Sequence, residues 1–264
     1  MLFTLYVAFT KVKGFHEMKS AGTATRRERI RDATVREIKD AARSMLVADG
    51  IEALTLRAIA REVDLTAPAL YRYFDSREEL ILALVADFYD ELTEYIRTAR
   101  DDVPADNLPG QMLAACRALR TWALEHRQEF GLVFANPVAD LTHVAEGPVH
   151  EAGWRFGTVF LELVVRLWND QGFPVPDPAG IDPALKEELK RCAAEMESVL
   201  PPEAVLVYLE AWTRLYGSVT MEVFGHLHFA LDDSSAMFER QLADLAGMFG
   251  LAAAYRAPYQ VRRS

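Results

Sequence analysis

The residues whose types and spacing could do chemistry lie between Thr55 and Leu80, in the stretch TLRAIAREVDLTAPALYRYFDSREEL. The chemistry they suit is contact with a nucleic-acid duplex. Thr66, Ala67, Pro68 and Ala69 open a short helix with small side chains, so its backbone can approach base edges in a groove. Tyr71, Tyr73 and Arg77 offer donors to phosphate oxygens, and Arg72 has the reach for a base or a phosphate. The bland alternative is a helical hairpin packed against the rest of the protein. That reading does not explain two tyrosines and an arginine on a face with little else to bury.

The elements that must hold these residues follow from local patterning. Thr55 is a good N-cap, and Leu56, Ile59, Ala60 and Val63 form one apolar stripe of a short helix. Asp64 and Leu65 interrupt it, and Asp tolerates a left-handed turn position. Thr66 caps a second short helix with Pro68 in its first turn. Leu70 and Phe74 point inward there, leaving Ala69, Arg72 and Tyr73 outside and Tyr71 near the boundary. Ser76-Arg77-Glu78-Glu79 reads as a capping box opening a third helix. Two short helices, a tight turn and this order of residue types predict a helix-turn-helix.

Ala69-Leu70-Tyr71-Arg72-Tyr73-Phe74 followed by Ser76-Arg77-Glu78-Glu79-Leu80 resembles the DNA-binding domain of the TetR family of one-component transcriptional regulators. Asp64 stands where that family usually has glycine, a departure the turn should survive at small backbone cost. The resemblance implies DNA contacts at Arg57, Thr66, Ala67, Pro68, Ala69, Tyr71, Arg72, Tyr73 and Arg77. Arg57, Tyr71, Tyr73 and Arg77 would serve phosphates; Thr66 to Ala69 and Arg72 would lie closer to bases.

Further along, LRTWALEHRQEFGLVF from Leu119 and AWTRLYGSVTMEVFGHL from Ala211 resemble a C-terminal subclass with a Trp-His-Gly signature. Trp212 and Gly217 match it, while Tyr216 stands where His is usual. The resemblance implies a homodimer joined through the last two long helices, with Leu209, Val219, Val223, Phe224, Leu242, Leu245 and Phe249 as interface candidates. A two-fold dimer implies an approximately palindromic operator. It also implies a small-molecule pocket whose occupation lowers DNA affinity. Trp122, Phe134, Trp154, Phe160, Trp168, Trp212 and Tyr216 are its candidate walls, although residue by residue plain core is the better reading of these aromatics. Polar candidates are few: Glu162, His126, His226 and His228. An aromatic-rich pocket suggests a mostly hydrophobic effector.

Charge agrees with an interface at one end. The chain of 264 residues carries a net charge of −10. From Arg26 to Arg77, however, eleven Lys/Arg face nine Asp/Glu, whereas from Glu78 onward 15 face 29. A mildly basic head on an acidic body fits DNA binding confined to the head. The two cysteines, Cys116 and Cys192, are far apart and form no metal or disulfide pattern.

Taken in order, residues 1–24 are an extension. Leu2 to Phe9 is apolar but too short to span a membrane, and Lys11 and Lys13 follow it, so no signal peptide is expected. Met18 suggests a mis-assigned start upstream; a basic arm reaching a minor groove is the alternative. Residues 25–80 form the DNA-binding domain, with a first helix from Thr25 to Asp49 on a stripe of Ile30, Ala33, Ile38, Ala41, Met45 and Leu46. Arginines crowd its first turns, as a solvated face or as phosphate contacts. A long fourth helix runs from Ser76 to about Arg100, and the linker 101–110 follows it. Helices are then expected over 111–135, 149–169, 182–199, 202–227 and 235–251, with residues 81–254 as the ligand-binding and dimerisation domain and 255–264 as a tail.

The fold class is all-α: a three-helix bundle with a helix-turn-helix, joined by the fourth helix to a larger helical domain. The expected function is a cytoplasmic, sequence-specific DNA-binding repressor released by a small hydrophobic effector, with no cofactor and no membrane partner. One alternative is a constitutive or partner-dependent regulator. Another is an enzyme with an appended helix-turn-helix, against which stands the lack of a Gly-rich phosphate loop, an HExxH or a GxSxG. His143 and His150 form no recognised metal spacing. Substitution of Leu84 or Phe88 in the fourth helix should alter ligand response more than ligand-free DNA affinity.

Overall fold

The computed structural model describes residues 25–135, 147–196 and 199–255. The extension 1–24, His143 and the tail beyond Tyr255 lie outside the described residues. Ten helices and no strand occupy them. These are α1 (Arg26–Asp49), α2 (Leu56–Glu62), α3 (Ala67–Leu70), α4 (Arg77–Asp101), α5 (Leu108–Glu125), α6 (Arg127–Phe134), α7 (Pro148–Asp170), α8 (Pro183–Glu195), α9 (Pro202–Val223) and α10 (Ser235–Met248). No helix among them is long and apolar enough to cross a membrane.

The chain divides into two compact units. One gathers the described residues up to Asp90 together with Gln128–Gly153, and the other holds Glu91–Arg127 and the chain from Trp154 on. The division falls inside α4, which both units share, and the first unit recruits most of α6. The reason is a set of contacts that local patterning does not show. Arg43 of α1 donates Nε to the buried Glu129 carboxylate at 3.0 Å and lies over the Phe88 ring at 5.1 Å. Tyr89 meets Phe134 edge-on at 5.6 Å.

Within the first unit, α1 opens with the expected capping box, Thr25 and Glu28 each satisfying the other's backbone N–H. Its buried residues are Ile38, Ala42 and Leu46, one face at i, i+4 and i+8. The expected stripe was therefore misplaced at its start: Ile30 is 56 % exposed and Ala33 is exposed too. The first turns of α1 carry arginines on every side, and no core reaches them.

The expected single helix over 111–135 is two. His126 leaves helical backbone at φ −123° and ψ 53°, its N–H still bonded to the Trp122 carbonyl, and α6 starts afresh at Arg127. The linker before α5 is also shorter than expected, because Asn107 caps the Gly110 N–H and brings Leu108 and Pro109 into the helix. Arg166 closes that linker from α7, reaching the Gln111 side chain and the Ala105 carbonyl, each at 3.0 Å. Helix α9 stops at Val223, short of Leu227. Gly225 takes φ of 69° and the His226 N–H turns back to the Met221 carbonyl at 2.9 Å, a left-handed cap that ends the helix.

Candidate nucleic-acid interface

The turn between α2 and α3 is set by one backbone. Asp64 takes φ of 52°, in the left-handed region. The Leu65 N–H then bonds the Ala60 carbonyl at 2.8 Å and the Val63 N–H bonds Ile59 at 3.1 Å. The last carbonyls of α2 are satisfied inside the turn, as a glycine there would also allow.

Thr66 enters α3 in extended backbone, and its Oγ1 accepts from the Ala69 N–H at 3.3 Å. Regular helix lasts one turn. Beyond Leu70 the chain tightens, with the Arg72 N–H on Ala69 O at 3.2 Å and the Tyr73 N–H on Leu70 O at 2.9 Å. Leu70 and Phe74 are buried behind this segment, at 0 % and 5 % exposure. Thr66, Pro68, Tyr71 and Arg72 face solvent, and Ala67, Ala69 and Tyr73 are half-buried. Arg57 stands exposed in the first turn of α2.

Arg77 is placed differently from its expected phosphate role. Its Nε donates to the Leu54 carbonyl at 2.5 Å and its Nη2 to Ile51 at 2.8 Å. The guanidinium thus fastens the start of α4 to the short 3-10 turn Ile51–Ala53 ahead of α2. Ser76 caps the Glu79 N–H at 3.0 Å, while the Glu79 carboxylate reaches Asp75 rather than the cap residue itself.

The second unit holds a partly open apolar pocket of about 60 Å³ among α5, α7, α9 and α10. Met112, Cys116, Phe160, Leu163, Tyr208, Trp212, Leu242 and Phe249 are among its walls. Of the aromatics expected there, only Phe160 and Trp212 line it. Trp122 is buried with its Nε1–H on Glu91 at 3.2 Å, and Trp168 packs on Phe173 at 5.0 Å. Phe134 belongs to the first unit, Tyr216 stacks on Trp212 at 6.2 Å, and Trp154 is half-buried outside the cavity. Sequence reading favoured the aromatics and passed over Met112 and Cys116, whose i, i+4 spacing on α5 was the available signal. Burial pushes the Cys116 thiol up to about 12, with Arg117 opposing, so it is a neutral wall group. The polar candidates stand elsewhere: Glu162 is exposed beside Arg100 at 3.3 Å, His126 lies 3.8 Å from Glu91, and His226 and His228 are exposed.

The residues expected at a dimer interface are mostly occupied within one chain. Val219, Val223, Leu242, Leu245 and Phe249 are each at most 8 % exposed, because α9 and α10 pack on one another. Phe224 is 39 % exposed and Leu209 half-buried. The outward side of this helix pair is instead a groove lined by Arg214, Gly217, Met221, Met237 and Asp244, among others.

Comparison with known proteins finds a family match in each half of the chain. Residues 38–84 match the family described as bacterial regulatory proteins, tetR family, and residues 112–245 match the tetracyclin repressor-like C-terminal domain. HTH-type transcriptional regulator Rv1816 of Mycobacterium tuberculosis is 26 % identical over 82 % of this chain and 92 % of its own. Mb1846 of Mycobacterium bovis, another HTH-type transcriptional regulator, matches to the same extent, 26 % over 82 % and 92 %. The crystal structure of the regulatory protein SCO4313 is 31 % identical, covers 84 % of this chain and 100 % of its own, and superposes with a TM-score of 0.64. RolR in complex with resorcinol shares the fold at 15 % identity and a TM-score of 0.53, over 86 % of this chain and 92 % of its own.

Proposed function

The chain belongs to the tetR family of bacterial regulatory proteins and is a DNA-binding transcriptional regulator, and from that premise we propose that it is a cytoplasmic repressor, not an enzyme, that binds a palindromic operator as a homodimer and leaves it when a small hydrophobic effector enters the body. The observation that carries the DNA-reading part is the exposed run Thr66, Pro68, Tyr71 and Arg72 around α3, backed by buried Leu70 and Phe74. Thr66 to Ala69 and Arg72 are the base-side residues of this reading, and Arg57, Tyr71 and Tyr73 the phosphate-side ones. Arg77 serves mainly as a brace. Residues 25–80 are the DNA-binding part of this reading.

The effector reading is supported by the cavity beneath Trp212 and Phe160. Its volume of about 60 Å³ is well below the ~300–1,000 Å³ of ordinary ligand sites. An effector must therefore spread α5, α7, α9 and α10 to enter, and that work is a difference in affinity between two forms, as release by linkage requires. RolR, which shares the fold, is solved with resorcinol, a small aromatic, and the effector proposed here is of that kind. Trp212 and Gly217 support assigning the body to the Trp-His-Gly subclass, with Tyr216, stacked on Trp212, standing where His is usual.

The test is selection of bound duplexes from a random DNA pool by the parent and by an Arg72→Ala/Tyr73→Ala variant. The parent is expected to enrich a palindrome and the variant none. Binding by both with no enriched sequence would leave only phosphate attraction and sink the reading.

A further inference from the structure

One side chain joins α1 to the exit of the DNA-reading segment through two separate contacts. Arg31 Nη1 donates to the Arg72 carbonyl at 3.2 Å, across 41 residues of sequence. Its guanidinium carbon also stands 5.4 Å from the centre of the Tyr73 ring, within cation–π reach. Arg31 is exposed, so neither contact serves a core. What they hold is the piece of chain that needs holding. Helix α3 ends at Leu70, and Arg72 and Tyr73 lie beyond it, kept by backbone bonds to Ala69 and Leu70 alone.

We infer that Arg31 is a positioning residue of the DNA interface, fixing the Arg72 backbone and the Tyr73 ring in the posture that meets the duplex. This rests on the reading of Arg72 and Tyr73 as DNA contacts. The competing role is a plain phosphate charge, since an exposed arginine early in α1 is also suited to that. Lysine separates the two. It keeps the charge, but one ammonium on a shorter side chain must serve both the Arg72 carbonyl and the Tyr73 ring, which the guanidinium meets through separate atoms, Nη1 and Cζ.

The full chain and its Arg31→Lys and Arg31→Ala variants are compared in two measurements. In the free proteins, amide hydrogen exchange over 72–74 should rise severalfold in both variants while the melting temperature holds. On DNA, Arg31→Lys should match the parent in affinity and salt slope on a mixed-sequence duplex, yet lose about three- to tenfold on a duplex the parent enriches from a random pool. Unchanged exchange in both variants, or parental affinity of Arg31→Lys for the enriched duplex, overturns the inference and leaves a phosphate charge. Should the parent enrich nothing, the repressor reading fails by itself, and exchange alone decides whether Arg31 braces the segment.

Discussion

Asp64 makes the strictest backbone demand in the DNA-reading unit, because a side chain at φ 52° must sit where L-residues are disfavoured. Asp64→Gly should raise stability by less than about 1 kcal/mol, the relief of the left-handed position being partly offset by a freer unfolded chain. Asp64→Ala should lower it by about 1–2 kcal/mol, and urea unfolding reads both. Equal stability for Asp and Ala would mean the turn does not limit the fold. Arg77 invites a sharper test of role. If it braces the start of α4, Arg77→Ala strands the Leu54 carbonyl, leaves the Ile51 carbonyl only the Leu54 N–H, and costs about 1–3 kcal/mol; a phosphate contact would leave stability alone and reduce only the salt dependence of binding. Thr55, Thr66, Leu70 and Phe74 were legible in the sequence because caps and i, i+4 pairs are local. Arg31 and Arg77 were not, since Arg72 lies 41 residues from the first and Leu54 lies 23 from the second, and nothing in local spacing encodes such a pairing.

Helix α5 is fastened to the last two helices by paired charges rather than by apolar contact alone. Arg120 forks onto Glu222 through two bonds of 2.6 and 2.5 Å and also reaches Ser235, while Arg117 forks onto Glu239 at 2.8 Å, with the Tyr255 hydroxyl donating to the same carboxylate. Arg120→Ala leaves Glu222, only 9 % exposed, without its counter-charge, and should cost about 2–4 kcal/mol. Glu239 gives a pH signature. Burial alone would raise its carboxyl, but Arg117 and Tyr255 outweigh burial and hold it below its usual 4.5. A depressed carboxyl contributes stability above its unfolded pKa and loses it as pH falls through the folded value. Thermal stability should therefore drop as pH goes below about 4.5, with a shallower drop in Glu239→Gln; identical acid limbs would remove Glu239 from the account. In α4, Leu84 and Phe88 are 1 % and 2 % exposed, so truncating either costs stability before it reports on ligand response. Helix ends divide in the same way between local and distant causes. Asn107 and Gly225 could have been read as start and stop signals, whereas the break at His126 has no glycine or proline to mark it.

At the scale of the whole molecule, two recognition segments must be presented together if the operator is palindromic, so the surface joining two copies decides function as much as α3 does. The apolar face of α9 read from sequence is spent inside one chain, where Val219 at 0 % and Leu242 at 2 % exposure sit between α9 and α10. What remains for a partner is the outer groove of the same helices. Gly217 opens onto empty space there, and Met221 and Met237 are 42 % and 40 % exposed. Two exposed methionines beside a glycine suit close helix–helix approach, because the glycine admits a neighbouring backbone and methionine fills irregular gaps. The paired variant Met221→Glu/Met237→Glu should sediment as a monomer with its helical content intact. It should also lose most of its affinity for a two-site duplex while retaining weak binding to a half-site, since each half-site then binds alone. Val223→Ala or Leu242→Ala should do the reverse, losing about 2–4 kcal/mol of stability to the cavity it creates while keeping the dimer mass. A dimer that survives both glutamates would move the interface away from the α9–α10 groove, and the exposed turn around Phe229, 87 % accessible, would be the next surface to substitute.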